Sequence, residues 1–406
     1  MQIGVLKETK EDEHRVALQP HQARILANNG HRVYVEEGAG AGAGYPDLTY
    51  REHSATIAQK SEILANCTLL LKVKAPLRSE FSDYNSTHTL FCYLHFDENM
   101  SSTDIVELSS SGFLGIAYEW VGQDGHQPLL EPMSRLTGYL FAQKSLDLCA
   151  QAKGTFCARN EDFLAGGSAL IIGTGNIGLS AFSYFSDLRI PLTILSTTNA
   201  EGFNQRANAR FRTNKIDYLT LRQAGLLQMD VRNPQSTKDR LCEFLRKADI
   251  VLNCAVRRPS LPKSRMEFLI DREMVDQMQS GSVLCDTTAC DHDLLETCVS
   301  SSSLQHSYFT GGVVHYNCDH IPSLVARTSS QLLCSQTFPY VLDLANKGVG
   351  AALCEDERLR NGVCCYLSHV THRPSAAKKG LPYRDVADLL GARSFLDSAA
   401  STEGGV

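Results

Sequence analysis

Gly173, Gly175 and Gly178 carry a G-x-G-x-x-G spacing between an apolar run, Ala169 to Ile172, and a helix-compatible segment, Leu179 to Leu188. A second apolar run, Pro191 to Leu195, comes next. Strand, tight turn, helix, strand is the context in which this spacing means dinucleotide binding rather than an ordinary turn. Each glycine has its own task. Gly173 permits the turn, Gly175 removes the side chain where backbone meets a pyrophosphate, and Gly178 lets the helix pack closely on its strand. The residues between them, Thr174, Asn176 and Ile177, belong to the same turn and to the helix N-terminus that faces the phosphates.

The residue ending the second strand bears on which nucleotide fits. Sites for NAD usually place an Asp or Glu there to accept from the ribose hydroxyls, and sites for NADP avoid it because the 2′-phosphate is anionic. Here the position is Ser196, followed by Thr197, with Arg206, Arg210 and Arg212 downstream. Hydroxyls and guanidiniums suit a phosphate, so the reading leans to NADP over NAD. The same arginines also suit a solvated helix face.

Three positions in the first half have chemistry of their own. Arg15, in Glu13-His-Arg-Val-Ala17 just before a helix, could hold a carboxylate through two parallel hydrogen bonds. Lys72 and Lys74 flank Val73 at the end of an apolar strand, where alternation would point them to one face. His95 follows Phe91 to Leu94, at a strand's carboxyl end, where an imidazole can take or give a proton near neutral pH. A lysine at a sheet edge is also an ordinary solvated charge, and a single histidine is also an ordinary structural residue.

Positioning these groups requires a regular layered scaffold. Strands are expected at Ile3 to Leu6, Val33 to Val35, Leu69 to Val73, Thr89 to Leu94 and Phe113 to Tyr118, with helices between them such as Pro20 to Asn29. Beyond the glycine turn, strands are expected at Asp249 to Asn253 and Ser282 to Asp286, with a helix over Asp271 to Gln279. This alternation predicts an α/β architecture with mostly parallel sheets. Met133 to Gln151 and Ser329 to Lys347 read as long helices crossing between two domains, which would leave a cleft. Ligands in such sheets bind beyond the carboxyl ends of the strands, here after Asn253 and Leu284.

With 406 residues, the chain exceeds one ordinary core. A formal charge of -6 and the lack of a basic tract argue against nucleic acid as a partner. No apolar run reaches the roughly 18 to 20 residues of a membrane span, and the N-terminus has no signal-peptide pattern, so a cytoplasmic protein is expected. The 14 cysteines are scattered without zinc-ligand spacing, which favours reduced, largely buried thiols and no metal.

Several motifs in one order resemble a family. Met1-Gln-Ile-Gly-Val-Leu-Lys-Glu8, Arg15-Val-Ala-Leu18, Leu71-Lys-Val-Lys-Ala-Pro76, Tyr93-Leu-His95, Ile116-Ala-Tyr-Glu119, Leu129-Leu-Glu-Pro-Met-Ser134, Gly312-Val-Val-His-Tyr316 and Pro322-Ser-Leu-Val-Ala-Arg-Thr-Ser329 are similar to the alanine dehydrogenase and transhydrogenase α-subunit family, most of all its alanine dehydrogenase branch. The likeness covers most of residues 1 to 370. It implies two Rossmann-like domains: a substrate domain of residues 1–132 plus 325–393 and a dinucleotide-binding domain of residues 133–324. The small, polar residues of 394–406 are expected to form a flexible tail. By motif, the likeness implies that Arg15 and Lys74 bind the substrate's carboxylate and carbonyl, that His95 transfers protons, that Met133 lines the substrate site and that Ser134 meets a phosphate. It also implies a homo-oligomer.

The implied activity is hydride transfer between NAD(P)H and an imine derived from a 2-oxo acid, with no metal. An opine-type dehydrogenase, joining an amino acid to the oxo acid, is a second reading, and a nucleotide-binding regulator with decayed catalysis a third. The chain departs from the family near the reacting carbon. The family's acid after the strand ending at Leu284 is displaced by one position to Asp291, which could still serve the carbinolamine. His320 replaces the Asn of an Asn-Met-Pro motif on the cofactor side, and Arg159 to Gly167 replaces a glycine- and proline-containing stretch. These changes point away from alanine and pyruvate toward a substrate with a different side chain.

Overall fold

A computed structural model describes residues 1–98, 100–159, 162, 166–211, 225–258, 260–288 and 290–391, without the side chains of residues 208, 210 and 211. The chain forms two compact units, one of Met1–Met133 with Ser323–Val406 and one of Ser134–Pro322. The tail at 394–406 and Arg212 lie outside the described residues, as does the side chain of Arg210.

The first unit is built on strands β1 (Gln2–Val5), β2 (Arg32–Glu36), β3 (Ala55–Ala58), β4 (Leu69–Leu71), β5 (Thr89–Cys92) and β6 (Leu114–Ala117). In the second are β7 (Ala169–Ile172), β8 (Leu192–Ser196), β9 (Gly225–Gln228), β10 (Ile250–Asn253), β11 (Val283–Asp286), β12 (Tyr308–Thr310) and β13 (Val313–Tyr316). The chain then returns to the first unit with β14 (Val363–Tyr366) and β15 (His369–Val370).

The first sheet runs β15-β14-β6-β5-β4-β1-β2-β3 and is parallel from β6 to β3, with β14 and β15 antiparallel at one edge. The second runs β12-β13-β11-β10-β7-β8-β9 and is parallel except for β12. Both keep a doubly wound order that reverses direction once, at β1/β4 in the first sheet and β7/β10 in the second. The fold is α/β with two Rossmann-like sheets. Continuous apolar strands such as Leu69–Leu71, Ala169–Ile172 and Val283–Asp286 are buried at every position, as expected of sheets covered on both faces. Each sheet has its own core, around Leu70, Leu90, Phe96 and Phe113 in the first unit and Leu170, Val251, Ile270 and Leu284 in the second.

Several elements stop short of the expected bounds. β4 ends at Leu71 and β5 at Cys92, so Lys72 to Lys74 and Tyr93 to His95 lie beyond the strands. Lys72 and Lys74 therefore do not share a face by strand alternation. The long helices span Glu131–Lys153 and Ala326–Lys347. The second begins after the chain has already re-entered the first unit, and the crossing is made within the short 3-10 helix Ile321–Val325. Among the described residues, no helix is long and apolar enough to cross a membrane. The 14 cysteines are free, and most are buried.

Candidate active site

In the first unit, the candidate residues gather beyond the carboxyl ends of β1, β4, β5 and β6, around the switch point. Arg15, only 3% exposed, lies between β1 and the helix Pro20–Asn28. Its guanidinium makes two parallel hydrogen bonds, but to Glu13: Nε donates to Oε1 at 2.7 Å and Nη2 to Oε2 at 2.5 Å. The expected carboxylate grip is thus already used inside the protein, and Nη1 is left facing Met133 Sδ at 3.7 Å. Burial works against the Arg15 charge, yet Glu13 outweighs it and holds the guanidinium firmly protonated. Such a pair leaves little freedom to the arginine and aims its remaining nitrogen.

Lys72 and Lys74 part company. Lys72 Nζ is buried between Glu8 (3.5 Å) and Glu80 (3.6 Å), a structural ion-pair cluster below the strand ends. Glu8 also accepts from the backbone N–H of Val73 at 2.6 Å, which shapes the bend that follows β4. Lys74 instead lines a pocket with His95, Lys10, Phe81 and Leu94. His95 adopts φ +51°, a left-handed conformation that a non-glycine residue holds only when its surroundings enforce it. Here they do. Its N–H donates to the buried Glu119 carboxylate at 2.5 Å, its ring stacks on Tyr93 at 5.6 Å, and Nδ1 lies 3.6 Å from Glu98 Oε2. Burial would raise the Glu98 carboxyl, but His95, Lys378 and Lys74 together hold it below its usual value. Tyr93 is fixed in turn by donating to the Leu129 carbonyl at 2.7 Å. The structure thus brings Arg15, Met133, Tyr93, His95 and Lys74 to one end of one sheet. Glu119 and Glu98, which position the histidine, were not singled out in the sequence. Ile116 to Glu119 was noted only as a motif, and nothing local marks a glutamate as a backbone acceptor for a segment 24 residues away.

In the second unit, the glycine turn has the form a dinucleotide needs. Gly173 has φ +98°, and a Cβ there would lie 3.0 Å from the Cys254 carbonyl and the Ala255 Cβ. Gly175 caps the helix Asn176–Asp187, and a Cβ on it would meet nothing within 4 Å, so the space outside the turn is open. A Cβ on Gly178 would stand 2.1 Å from the Gly173 carbonyl oxygen, which makes this glycine obligatory for closing helix onto strand. Thr174 and Asn176 thus bracket the helix N-terminus, with Ile177 in its first turn. Ser196 ends β8, and its hydroxyl lies 2.9 Å from Thr174 Oγ1 and 2.7 Å from Thr198 Oγ1. Gly173 to Gly175, Ser196, Thr197 and Arg206 all line one cavity. A turn open at Gly175, a helix N-terminus and a strand end without an acid fit a nicotinamide dinucleotide. Ser134, in the first turns of the helix Glu131–Lys153, belongs to this unit.

Asp291 is placed differently from the sequence reading. It is exposed, and its Oδ1 accepts from the Ser300 N–H at 2.7 Å, holding a surface turn. The buried carboxyl at this edge is Asp286, at the end of β11. Its Oδ1 accepts from Asn253 Nδ2, Thr288 N and Thr288 Oγ1, while Oδ2 has no partner among the described residues. Burial pushes the Asp286 carboxyl up to about 6. His320, also buried, sets Nδ1 2.6 Å from Asp319 Oδ1 and 3.7 Å from Cys318 Sγ. These three side chains bring potential metal-ligand atoms within 4.8 Å of one another, a grouping that zinc-type spacing does not reveal because the residues are consecutive.

Comparison with known proteins identifies the family and the fold. Residues 4–137 match the family model described as the alanine dehydrogenase/PNT N-terminal domain, and residues 144–373 match that of the C-terminal domain. The chain is 32% identical to an alanine dehydrogenase of Halomonas elongata, over 96% of this chain and 100% of that one. It is 33% identical to an alanine dehydrogenase of Bacillus subtilis, over 94% and 96% of the two chains. Among solved structures, an L-alanine dehydrogenase superposes with a TM-score of 0.77 at 28% identity, covering 93% of this chain and 99% of that chain. A transhydrogenase from Sinorhizobium meliloti shares the fold, with a TM-score of 0.69 at 19% identity over 92% and 100%.

Proposed function

Since the chain belongs to the alanine dehydrogenase/PNT family, we propose that it is an NAD(P)-dependent amino-acid dehydrogenase that interconverts an amino acid with its 2-oxo acid and ammonia. The observation that carries the reading is the joint placement of Arg15, Lys74 and His95 beyond the carboxyl ends of the first sheet's central strands. Gly173 to Gly178 and Ser196 to Thr197 would hold the nucleotide. When bound, its nicotinamide ring exchanges hydride with the substrate carbon.

The chain's own residues supply the rest. Arg15 uses Nη1 for the substrate carboxylate, because Glu13 occupies Nε and Nη2. Met133 packs against the same group. The Lys74 ammonium donates to the carbonyl oxygen and stabilises the negative charge that grows there as ammonia adds. His95 moves protons during loss of water from the carbinolamine, and Glu98 beside it balances the imidazolium that forms. Asp291 lies on an exposed turn of the second unit, where its carboxylate accepts from the Ser300 N–H.

NADP is the preferred nucleotide in this reading. Ser196 takes the place of the acid that would repel a 2′-phosphate, and Arg206 faces the same cavity. His320 and Ser134 are assigned to the nucleotide side. Homo-oligomer formation is expected from the family. With alanine dehydrogenases as relatives, ammonia is favoured over a second amino acid as the nitrogen donor.

The direct test of the residue assignment is His95→Ala. Turnover should fall by about two to four orders of magnitude, with nucleotide affinity unchanged by titration. Turnover near the parent rate would remove His95 from the mechanism.

A further inference from the structure

The cavity over the glycine turn has two walls. Ser196, Thr197 and Arg206 come from the end of β8 and the helix after it, whereas Arg257 and Arg258 come from the loop after β10. In the sheet, β8 and β10 flank β7, so these walls stand on either side of the turn that would carry the pyrophosphate.

The adjacent arginines of the second wall have opposite fates. Every nitrogen of the Arg257 guanidinium is used, within its own loop and by Asp293 of the loop after β11. Nε donates to Asp293 Oδ1 at 2.8 Å, Nη1 to the carbonyls of Met266 (2.7 Å) and Leu261 (3.2 Å), and Nη2 to the carbonyls of Glu267 (2.7 Å) and Asp293. Its backbone N–H also donates to Asp293 Oδ2 at 3.0 Å. Arg257 is therefore a brace that cannot turn to a ligand. Arg258 is exposed, lines the cavity, and has no hydrogen bond or ion pair from its side chain among the described residues; the same holds for Arg206 on the facing wall. Two uncommitted guanidiniums on opposite walls, with Thr197 on the same wall as Arg206, form a site for a dianionic phosphomonoester.

We propose that Arg258 is a specificity-determining residue which, with Arg206, grips the 2′-phosphate of the adenosine, and that Arg257 with Asp293 holds the loop so that Arg258 faces it. This inference rests on the NADP reading above and adds a ligand from a loop where the strand-end rule places none. It concerns the adenosine half alone, so it is testable without catalysis.

The experiment is equilibrium titration of the full chain with adenosine 2′,5′-bisphosphate and with AMP. The parent should bind the bisphosphate more tightly. Arg258→Ala should weaken the bisphosphate by roughly tenfold or more, as loss of a charge-assisted phosphate contact does, and leave AMP within about twofold. Arg258→Lys should recover part of the loss, and the melting temperature should not move. If the parent binds both nucleotides equally, the NADP reading fails and this inference with it. If the parent prefers the bisphosphate but Arg258→Ala keeps that preference, the NADP reading stands and the role of Arg258 is overturned. A parallel loss of both nucleotides would also overturn it, since the residue would then only support the loop.

Discussion

Arg15 shows why residue type alone under-determines a site. Its fork suits a carboxylate, and the carboxylate it holds is Glu13, both groups being buried. Removing one partner of a buried pair strands the other charge in a poor solvent. Glu13→Gln should therefore cost about 3 kcal/mol or more of stability and weaken substrate binding, as Nη1 loses its fixed direction. An unchanged denaturation midpoint would mean that the pair is not carried in the folded protein. Asp286 offers a second test at this scale. Its carboxyl titrates near 6 rather than near 3.8, so the folded state resists its ionisation. A raised acid gives stability that is complete below the unfolded value and lost as pH climbs through the folded one. The parent should thus lose about 3 kcal/mol of this contribution between roughly pH 4 and 6.5. In Asp286→Asn that component of the pH profile should vanish, as read by urea unfolding at several pH values. An identical profile would exclude Asp286 as the group responsible.

Among the elements, the glycine turn was the most legible, because each glycine answers a separate steric need. The structure separates those needs. Gly175 faces open space and Gly178 faces the Gly173 carbonyl. Gly175→Ala should keep the parent's melting temperature while lowering nucleotide affinity roughly tenfold or more; Gly178→Ala should lower the melting temperature itself. Equal effects from both would contradict the assignment of roles. Strand ends were less legible. Lys72 and Val73 continue the apolar rhythm of β4 by composition, but the Val73 N–H leaves the ladder for Glu8, 65 residues away. The left-handed turn at His95 was likewise invisible, since it depends on Glu119 and Tyr93. Edge strands β14 and β15 were missed for a similar reason. They are short, and β14 owes its place to pairing with β6, far away in sequence.

For the whole molecule, the α/β class and both parallel sheets could be read from the alternation of apolar runs, and the family from motifs spread along the chain. What the sequence hid was how the charges are shared out. Glu8, Glu13 and Glu80 engage cations that looked available, and Asp293 engages Arg257. His95 and Nη1 of Arg15, by contrast, are directed by their internal pairs rather than consumed by them. One reaction of the protein decides whether these groups act together. Reduced nicotinamide nucleotide should be consumed when a 2-oxo acid and ammonium are both supplied, at a rate that vanishes when ammonium is withheld. Tight nucleotide binding without consumption, across a panel of 2-oxo acids with ammonium, would contradict it.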